Sequence, residues 1–212
     1  MKKILILSTL LMLGILSFAQ VNIQSLIKPG TKLIYAVEAN GMKYDFIVTV
    51  KALNPALVFD WEMTDRTGNS GTITHTATAM VSANTMYNYF SPGPKTLDDN
   101  TISVWLSKNS FTGLTKGSMN VMMGMNINES LKKMGMVVSD EDKDDDDESE
   151  LKIIVNGEKE TVEEKIAQEL NAEGRAVPEG AFFSFYNSAK MPIILRMNNG
   201  FSIVLKEIKT KG

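Results

Sequence analysis

Apolar and polar residues alternate along three successive segments near the start of the chain, at residues 32–39, 44–51 and 57–64. A repeat of two places the apolar side chains on one face of a β-strand and favours an antiparallel sheet with one buried face. Asn40-Gly41 joins the first two segments, and this pair suits a two-residue type I′ hairpin because both positions need positive φ. The pattern therefore predicts a three-stranded meander. Its inward positions are Leu33, Tyr35, Val37, Tyr44, Phe46, Val48, Val50, Leu57, Phe59, Trp61 and Met63.

The same alternation predicts strands in both the middle and the last part of the chain. These strands are expected at residues 72–81, 101–107, 182–186, 193–197 and 201–208. Asn198-Asn199-Gly200 lies between the last two and predicts a hairpin there.

Short helices are predicted in two places between these strands. Residues 82–89 are expected to form a helical turn under the sheet. Asn128 can cap a helix over residues 129–134, and Gly135 can end it.

One segment near residue 165 fits two structures. Residues 161–164 have the capping-box pattern, and an apolar residue recurs every four positions from Val162 to Leu170. This spacing predicts a helix over residues 162–172. The alternative is a strand that continues from a hairpin at Asn156-Gly157.

Taken together, the segments predict a mostly β fold. It consists of an antiparallel sheet of long hairpin strands, curved like a half-barrel or clam, with one or two short helices. This arrangement resembles the curved half-barrel of lipoprotein-carrier and related envelope proteins. The resemblance rests on the hairpin from Tyr35 to Val50, the meander through Trp61, and the closing pair at residues 193–197 and 201–208. It concerns architecture only, so no functional residue is carried over.

The N-terminal residues have the layout of a secretory signal peptide. Two lysines precede an apolar stretch over residues 4–15, and Ser17 and Ala19 stand at positions −3 and −1 of a cleavage site. The stretch is shorter than the roughly 20 residues that a spanning helix needs. We therefore expect export to the periplasm or the extracellular space after cleavage behind residue 19. The alternative is an uncleaved N-terminal anchor.

The mature chain is expected to begin at Gln20 and to form a single β-rich domain over residues 20–212. No second apolar run approaches spanning length, so this mature chain is not expected to be integral to a membrane. The sequence contains no cysteine, which excludes disulfides, thiol nucleophiles and thiolate metal sites.

Negative charge is concentrated in one segment. Nine carboxylates lie between Asp140 and Glu150, whereas the rest of the mature chain is nearly neutral. Self-repulsion predicts an acidic mobile loop at residues 139–150, with weak binding of divalent cations as the alternative. An EF-hand is rejected because Asp147 stands where its loop needs Gly and Ile153 where it needs Glu. No basic stripe exists, so nucleic acid is not an expected partner.

Methionine is also concentrated. Six of the fourteen methionines fall within residues 119–136. Thioethers suit Cu(I), which makes copper one hypothesis for this cluster. Core packing and an apolar groove are the alternatives, because methionine fills irregular cores and adaptable surfaces.

Other candidates for chemistry are isolated. His75 is the only histidine and has no recognisable triad partner, so it is interpreted as a structural residue. Asp60 and Glu62 share one strand face, as a glycosidase pair could, but the alternation places them on the solvent side. No phosphate-binding glycine loop is present. The sequence therefore predicts no catalytic residue, no metal ligand and no cofactor.

The remaining hypothesis is a non-enzymatic envelope protein that binds a lipid, another apolar ligand or a partner protein in a concavity of its sheet. The residues expected to line this site are Phe59, Trp61, Trp105, Met122 and Met123. A structural module that docks an envelope protein through its sheet is the alternative, followed by weak binding of Cu or Ca and by a hydrolase using Asp60 or His75. A ligand site should be a pocket of ~300–1,000 Å³, whereas a docking module should present a flat patch or an unpaired edge.

Overall fold

The computed structural model describes residues 21–65, 68–118, 120–124, 131–136 and 149–211. Within them lie three helices, α1 Ile23–Leu26, α2 Ala77–Ser82 and α3 Lys108–Thr115. The strands are β1 Lys32–Ala39, β2 Met42–Ala52, β3 Leu57–Met63, β4 Ser70–His75, β5 Thr85–Tyr87, β6 Gly93–Thr96, β7 Thr101–Ile102, β8 Val121–Gly124, β9 Lys132–Gly135, β10 Ser149–Val155, β11 Glu158–Glu169, β12 Phe182–Tyr186, β13 Ile194–Asn198 and β14 Ser202–Lys209. The predicted mostly β class is confirmed.

The N-terminal meander forms as predicted. Strand β1 pairs antiparallel with β2, and β2 pairs with β3. Asn40 and Gly41 have φ values of 51° and 75°, the left-handed conformations that the two-residue hairpin requires. Tyr35 lies opposite Phe46, and Val37 lies opposite Tyr44, so the predicted inward residues share one face.

The predicted strand over residues 72–81 is too long. Strand β4 ends at His75, and the Thr76 side chain then accepts a hydrogen bond from the Ala79 amide and caps α2. The cap explains the change, because a Thr hydroxyl satisfies an amide that has no partner within the helix. The helical turn predicted over residues 82–89 is wrong, because α2 ends at Ser82 and strand β5 occupies residues 85–87.

The predicted strand at residues 101–107 is also only partly correct. It reduces to the two-residue β7, after which the chain runs through the interior beside β13. Trp105 forms an isolated bridge with Ile193, and the Leu106 amide donates to the Pro192 carbonyl. This buried stretch, residues 103–107, is called the inner segment below. Helix α3 follows it and was not predicted.

The helix predicted over residues 162–172 is wrong, and the alternative strand is confirmed. Strand β11 follows the Asn156-Gly157 hairpin and pairs with β10 on one side and β12 on the other. The helix predicted over residues 129–134 is also wrong where the structure describes it, because Lys132 begins β9.

Strands β9 and β10 lie end to end along one side of β11. Gly135 pairs with Gln168 in β11, and Ser149 pairs with Glu164, four residues further along the same edge. Residues 137–148, which hold most of the predicted acidic loop, lie outside the described residues. Ser149 and Glu150, at the end of that predicted loop, instead begin β10.

The C-terminal strands close a ring of pairings. The predicted hairpin of β13 and β14 is confirmed, and β14 also pairs with β1. On the edge that β13 occupies, β14 additionally pairs in parallel with β10 through Ile154 and Val155. Strands β10, β11, β12, β13 and β14 therefore form a closed circuit.

The described residues form two apolar clusters in the interior. The first contains Phe59, Trp61 and Trp105, together with the inward residues of the meander. The second lies among α3, β8, β9 and β12 and is rich in methionine. Trp105 belongs to the first cluster and the adjacent Leu106 to the second, so the inner segment runs between them. Among the described residues, no helix has the length and apolar character needed to cross a membrane.

Candidate functional site

A half-open apolar cavity of about 200 Å³ lies against the inward face of the meander. We call it the Phe46 cavity. Its walls come from the β1–β2 hairpin, residues 88–90, the inner segment and strands β13 and β14. The lining residues are Tyr35, Val37, Ala39, Tyr44, Phe46, Met63, Asn88, Tyr89, Phe90, Ser103, Val104, Ile194, Met197, Phe201 and Ile203.

Aromatic rings make up much of the wall. The rings of Phe46 and Phe90 lie 4.7 Å apart, centroid to centroid, and that of Tyr35 lies 6.1 Å from Phe46. Tyr89 is 51% exposed, unlike the buried Tyr35 and Phe46. The cavity therefore combines a fixed aromatic interior with one solvent-exposed aromatic residue.

Hydrogen bonds fix the inner wall of the cavity. The Tyr35 hydroxyl donates to the Ile194 carbonyl at 2.9 Å, and the Ile194 amide donates to the Val104 carbonyl at 2.8 Å. Burial raises the pKa of Tyr35 far above its ordinary value, so this hydroxyl remains a donor at physiological pH. These bonds join β1, β13 and the inner segment into one preformed wall.

Two polar side chains of the lining are hydrogen-bonded within the protein. Besides the Tyr35 hydroxyl, the Asn88 side-chain amide donates to the Gly124 carbonyl at 3.2 Å. Ser103 differs, because its buried Oγ has no hydrogen-bond partner in the described part of the chain. Ser103 is only 1% exposed.

The backbone around Ser103 has an unusual conformation. The adjacent Val104 has a φ of 65°, which is a genuine outlier for a β-branched residue. The Ser103 amide donates to Nε2 of the buried His75 at 3.0 Å. His75 therefore presents an unprotonated Nε2 to the inner segment, and burial lowers its pKa to about 4. His75 therefore helps to hold Ser103, and with it the inner segment, in place behind the cavity.

The five residues predicted to line a site are not brought together at the Phe46 cavity. Phe59, Trp61 and Trp105 are each at most 1% exposed and lie in the first apolar cluster. Trp61 contacts the lining residue Phe90 from behind, with ring centroids 5.4 Å apart. Both remaining residues lie on β8: Met123 belongs to the second cluster, whereas Met122 is half-buried and outside it.

The methionine cluster packs largely into the core. Met123 and Met134 are fully buried, and Met136 packs against the same cluster from its edge. Met119 and Met125 lie outside the described residues. Across the described ranges, no group of three or more His, Asp or Glu side chains could hold a metal ion.

The carboxylate pair considered from the sequence lies on the outer face of β3. Asp60 accepts a hydrogen bond from the Thr72 hydroxyl at 2.8 Å and pairs with Lys51 at 3.1 Å. Its side chain is 43% exposed, and Glu62 is exposed beside it. This arrangement agrees with the interpretation as a solvated strand face.

One buried carboxylate was not anticipated from the sequence. Glu164 on β11 is fully buried and forms an ion pair with Arg196 on β13. The hydroxyls of Ser149 and Ser184 also donate to it. Its oxygens are therefore satisfied by the protein, as a buried charge requires. This cluster crosslinks the strand ring.

The lining of the Phe46 cavity was partly visible in the sequence. Tyr35, Val37, Tyr44 and Phe46 were predicted to share an inward face, and alternation alone was the signal. Val104 was also expected to face inward, on the strand predicted over residues 101–107, although the chain there is irregular after β7. Phe90 carried no comparable signal, because it lies in an irregular segment. The scan of family models and the searches of curated proteins and solved structures found no match for this chain.

Proposed function

We propose that this protein is an exported, non-enzymatic binder of a small apolar ligand, which it holds in the Phe46 cavity. The carrying observation is an apolar cavity lined by aromatic rings, whose inner wall is fixed by the hydrogen bonds of Tyr35 and Ile194. Export rests on the signal-peptide pattern of the sequence. The resemblance to curved half-barrel envelope proteins is part of the same proposal.

The cavity volume indicates the size of the ligand. At about 200 Å³ it is smaller than the ~300–1,000 Å³ that drug-sized ligands occupy. An engineered cavity of roughly 150 Å³ in another protein holds benzene. The proposed ligand is therefore one aromatic ring or a short alkyl segment. A lipid would insert only part of one chain.

Toluene is a suitable probe, because it consists of a single ring. We expect the protein to bind toluene in ligand-observed NMR and calorimetric titrations. The variant Ala39→Leu should reduce the affinity roughly tenfold or more. The larger side chain would occupy part of the cavity, so that a bound ring would be overpacked, which typically costs ~1–3 kcal/mol.

Ala36→Leu is the matched control. Ala36 lies on the same strand as Ala39 but is exposed on the outer face. This variant should bind toluene as the wild type does, and thermal melts of both variants should show that they fold. Absence of toluene binding by the wild type, or equal binding by folded Ala39→Leu, would contradict the proposal.

A further inference from the structure

Phe90 stands between the Phe46 cavity and two buried rings that do not line it. The Phe90 ring lies 5.4 Å from that of Trp61 and 6.3 Å from that of Tyr87, centroid to centroid. On its other side it lies 4.7 Å from the ring of Phe46. Phe90 and Phe46 line the cavity, whereas Trp61 and Tyr87 do not. The Phe90 ring therefore closes the cavity on the side of these two residues.

The segment that carries Phe90 is not part of the sheet. Residues 88–92 join β5 to β6 in an irregular conformation, whereas Tyr35 and Phe46 belong to paired strands. Binding residues are found disproportionately on loops that a rigid scaffold positions, since loops vary without altering the scaffold. Phe90 is thus placed where a change of side chain alters the cavity without altering a strand.

The rings behind Phe90 are fixed by the fold. Trp61 lies on β3, which pairs with β2 on one side and with β4 on the other. The Tyr87 hydroxyl accepts a hydrogen bond from the Lys95 ammonium group at 2.6 Å. Truncation of a side chain leaves a cavity to the extent that its neighbours cannot collapse into the space. A smaller residue at position 90 would therefore leave an open space in front of these rings.

The volume of the cavity indicates that this closure limits the size of the ligand. The cavity measures about 200 Å³. Roughly 150 Å³ is enough for one benzene ring, so two rings need roughly 300 Å³ on the same scale. A second ring would be enclosed only if the space that Phe90 occupies were free.

We propose that Phe90 is the specificity-determining residue of the Phe46 cavity and that it restricts the ligand to a single ring or an alkyl segment of similar size. The inference rests on the proposed function and identifies the residue that sets its ligand class. One ring of a ligand lies against Phe46, and Phe90 occupies the space that a second ring needs. A smaller residue at this position converts the cavity into a site for two rings.

The test compares toluene with biphenyl, which carries a second ring in place of the methyl group. The readout is the ratio of the two dissociation constants, because losses that affect both ligands equally cancel in it. In the wild type we expect biphenyl to bind no more tightly than toluene. In Phe90→Ala biphenyl should bind at least about tenfold more tightly than toluene, since even one methylene group in an apolar pocket is worth roughly 10- to 200-fold.

Two further variants separate the volume of the ring from other effects. Phe90→Leu removes less of the side chain, so it should raise the preference for biphenyl by a smaller factor, and it serves as the test if Phe90→Ala does not fold in a thermal melt. Pro92→Ala is the matched control, because Pro92 lies on the same segment but is exposed and does not line the cavity. It frees the backbone that proline restricts but keeps the Phe90 ring, so the wild-type ratio should be retained.

Three results would overturn the inference while leaving toluene binding intact. They are tighter binding of biphenyl than of toluene by the wild type, an unchanged ratio in the folded variants of Phe90, and an equally large shift in Pro92→Ala. If toluene itself does not bind to the wild type, the proposed function fails instead.

Discussion

Large aromatic residues attract attention as binding residues, but here most of them stabilise the fold. Phe59, Trp61 and Trp105 lie behind the cavity, because the largest apolar side chains gain the most free energy from complete burial. The cavity is lined instead by other aromatic residues, among them Tyr35 and Phe46 of the hairpin and Phe90. The alternation of apolar and polar residues identified the inward face of the hairpin correctly, but it could not indicate where a cavity lies against that face. A space depends on what packs opposite, and that information lies far away in the sequence.

His75 carries a prediction about pH. Its folded-state pKa is about 4, against 6.5 for the free side chain. Between these values the unfolded chain binds a proton that the folded chain does not, so stability is lost as the pH falls from 6.5 toward 4. Linkage predicts a loss of about 2 kcal/mol in the free energy of unfolding between pH 7 and pH 5. Urea denaturation at the two pH values measures it.

His75→Gln is the matched variant, because it retains an acceptor for the Ser103 amide without titrating. The variant is expected to be less stable at pH 7 but to lose about 2 kcal/mol less than the wild type between pH 7 and pH 5. Carboxylates contribute equally to both proteins. Identical pH dependence in the two would show that His75 is not the buried neutral base described above.

At the level of elements, β11 shows why one segment was mispredicted. Val162, Ile166 and Leu170 are four residues apart, which places them on one face of a helix. Four is also an even number, so the same residues share one face of a strand. The capping-box pattern of Thr161 and Glu164 also favoured a helix. In the structure both residues lie within the paired strand β11. Tertiary pairing with both β10 and β12 decided the outcome.

The end-to-end arrangement of β9 and β10 predicts that the acidic segment can be shortened. Three residues of β11, from Lys165 to Ala167, separate the partners of Gly135 and Ser149. Met136 and two inserted threonines could span this gap in place of residues 137–148. We expect the shortened protein to melt at the same temperature or higher, because the change removes eight carboxylates that repel one another.

Ser149 must be retained in that variant, since its hydroxyl donates to the buried Glu164 and accepts from Arg196. The control keeps the full length and replaces the acidic residues of 140–148 by Asn and Gln. Loss of cooperative unfolding in the short variant alone would show that β9 and β10 cannot be joined directly. A large stabilisation by calcium that is lost in both variants would instead reveal a cation site in the segment.

For the whole molecule, the sequence was sufficient for the β class and the two hairpin regions, but not for the strand ring. The ring depends on the parallel contact between Ile154 and Glu207, which no turn connects. Local patterns report pairings between neighbouring strands, whereas closure depends on the twist and curvature of the whole sheet. The N-terminal and C-terminal hairpin regions were therefore predictable, but the pairing of β14 with β1 and with β10 was not.

Export gives a prediction for the protein as a whole. Protein recovered from the periplasm or the culture medium should begin at Gln20, because Ser17 and Ala19 satisfy the cleavage rule. Mass spectrometry of the intact protein measures the N-terminus, and replacing Ala19 by a bulky residue should block processing. An unprocessed Met1 in exported protein, or a purely cytoplasmic location, would contradict the prediction.

The pairing of β1 with β14 also has a consequence for the order in which the molecule assembles. Strand β1 is synthesised well before β14, yet β14 is one of its two neighbours in the sheet. Until β14 arrives, the meander has an open edge that can pair with other chains. Contacts this distant in sequence form slowly. The sheet therefore cannot be completed until β14 has been synthesised, a delay that would favour the proposed export, since an exported chain crosses the membrane unfolded.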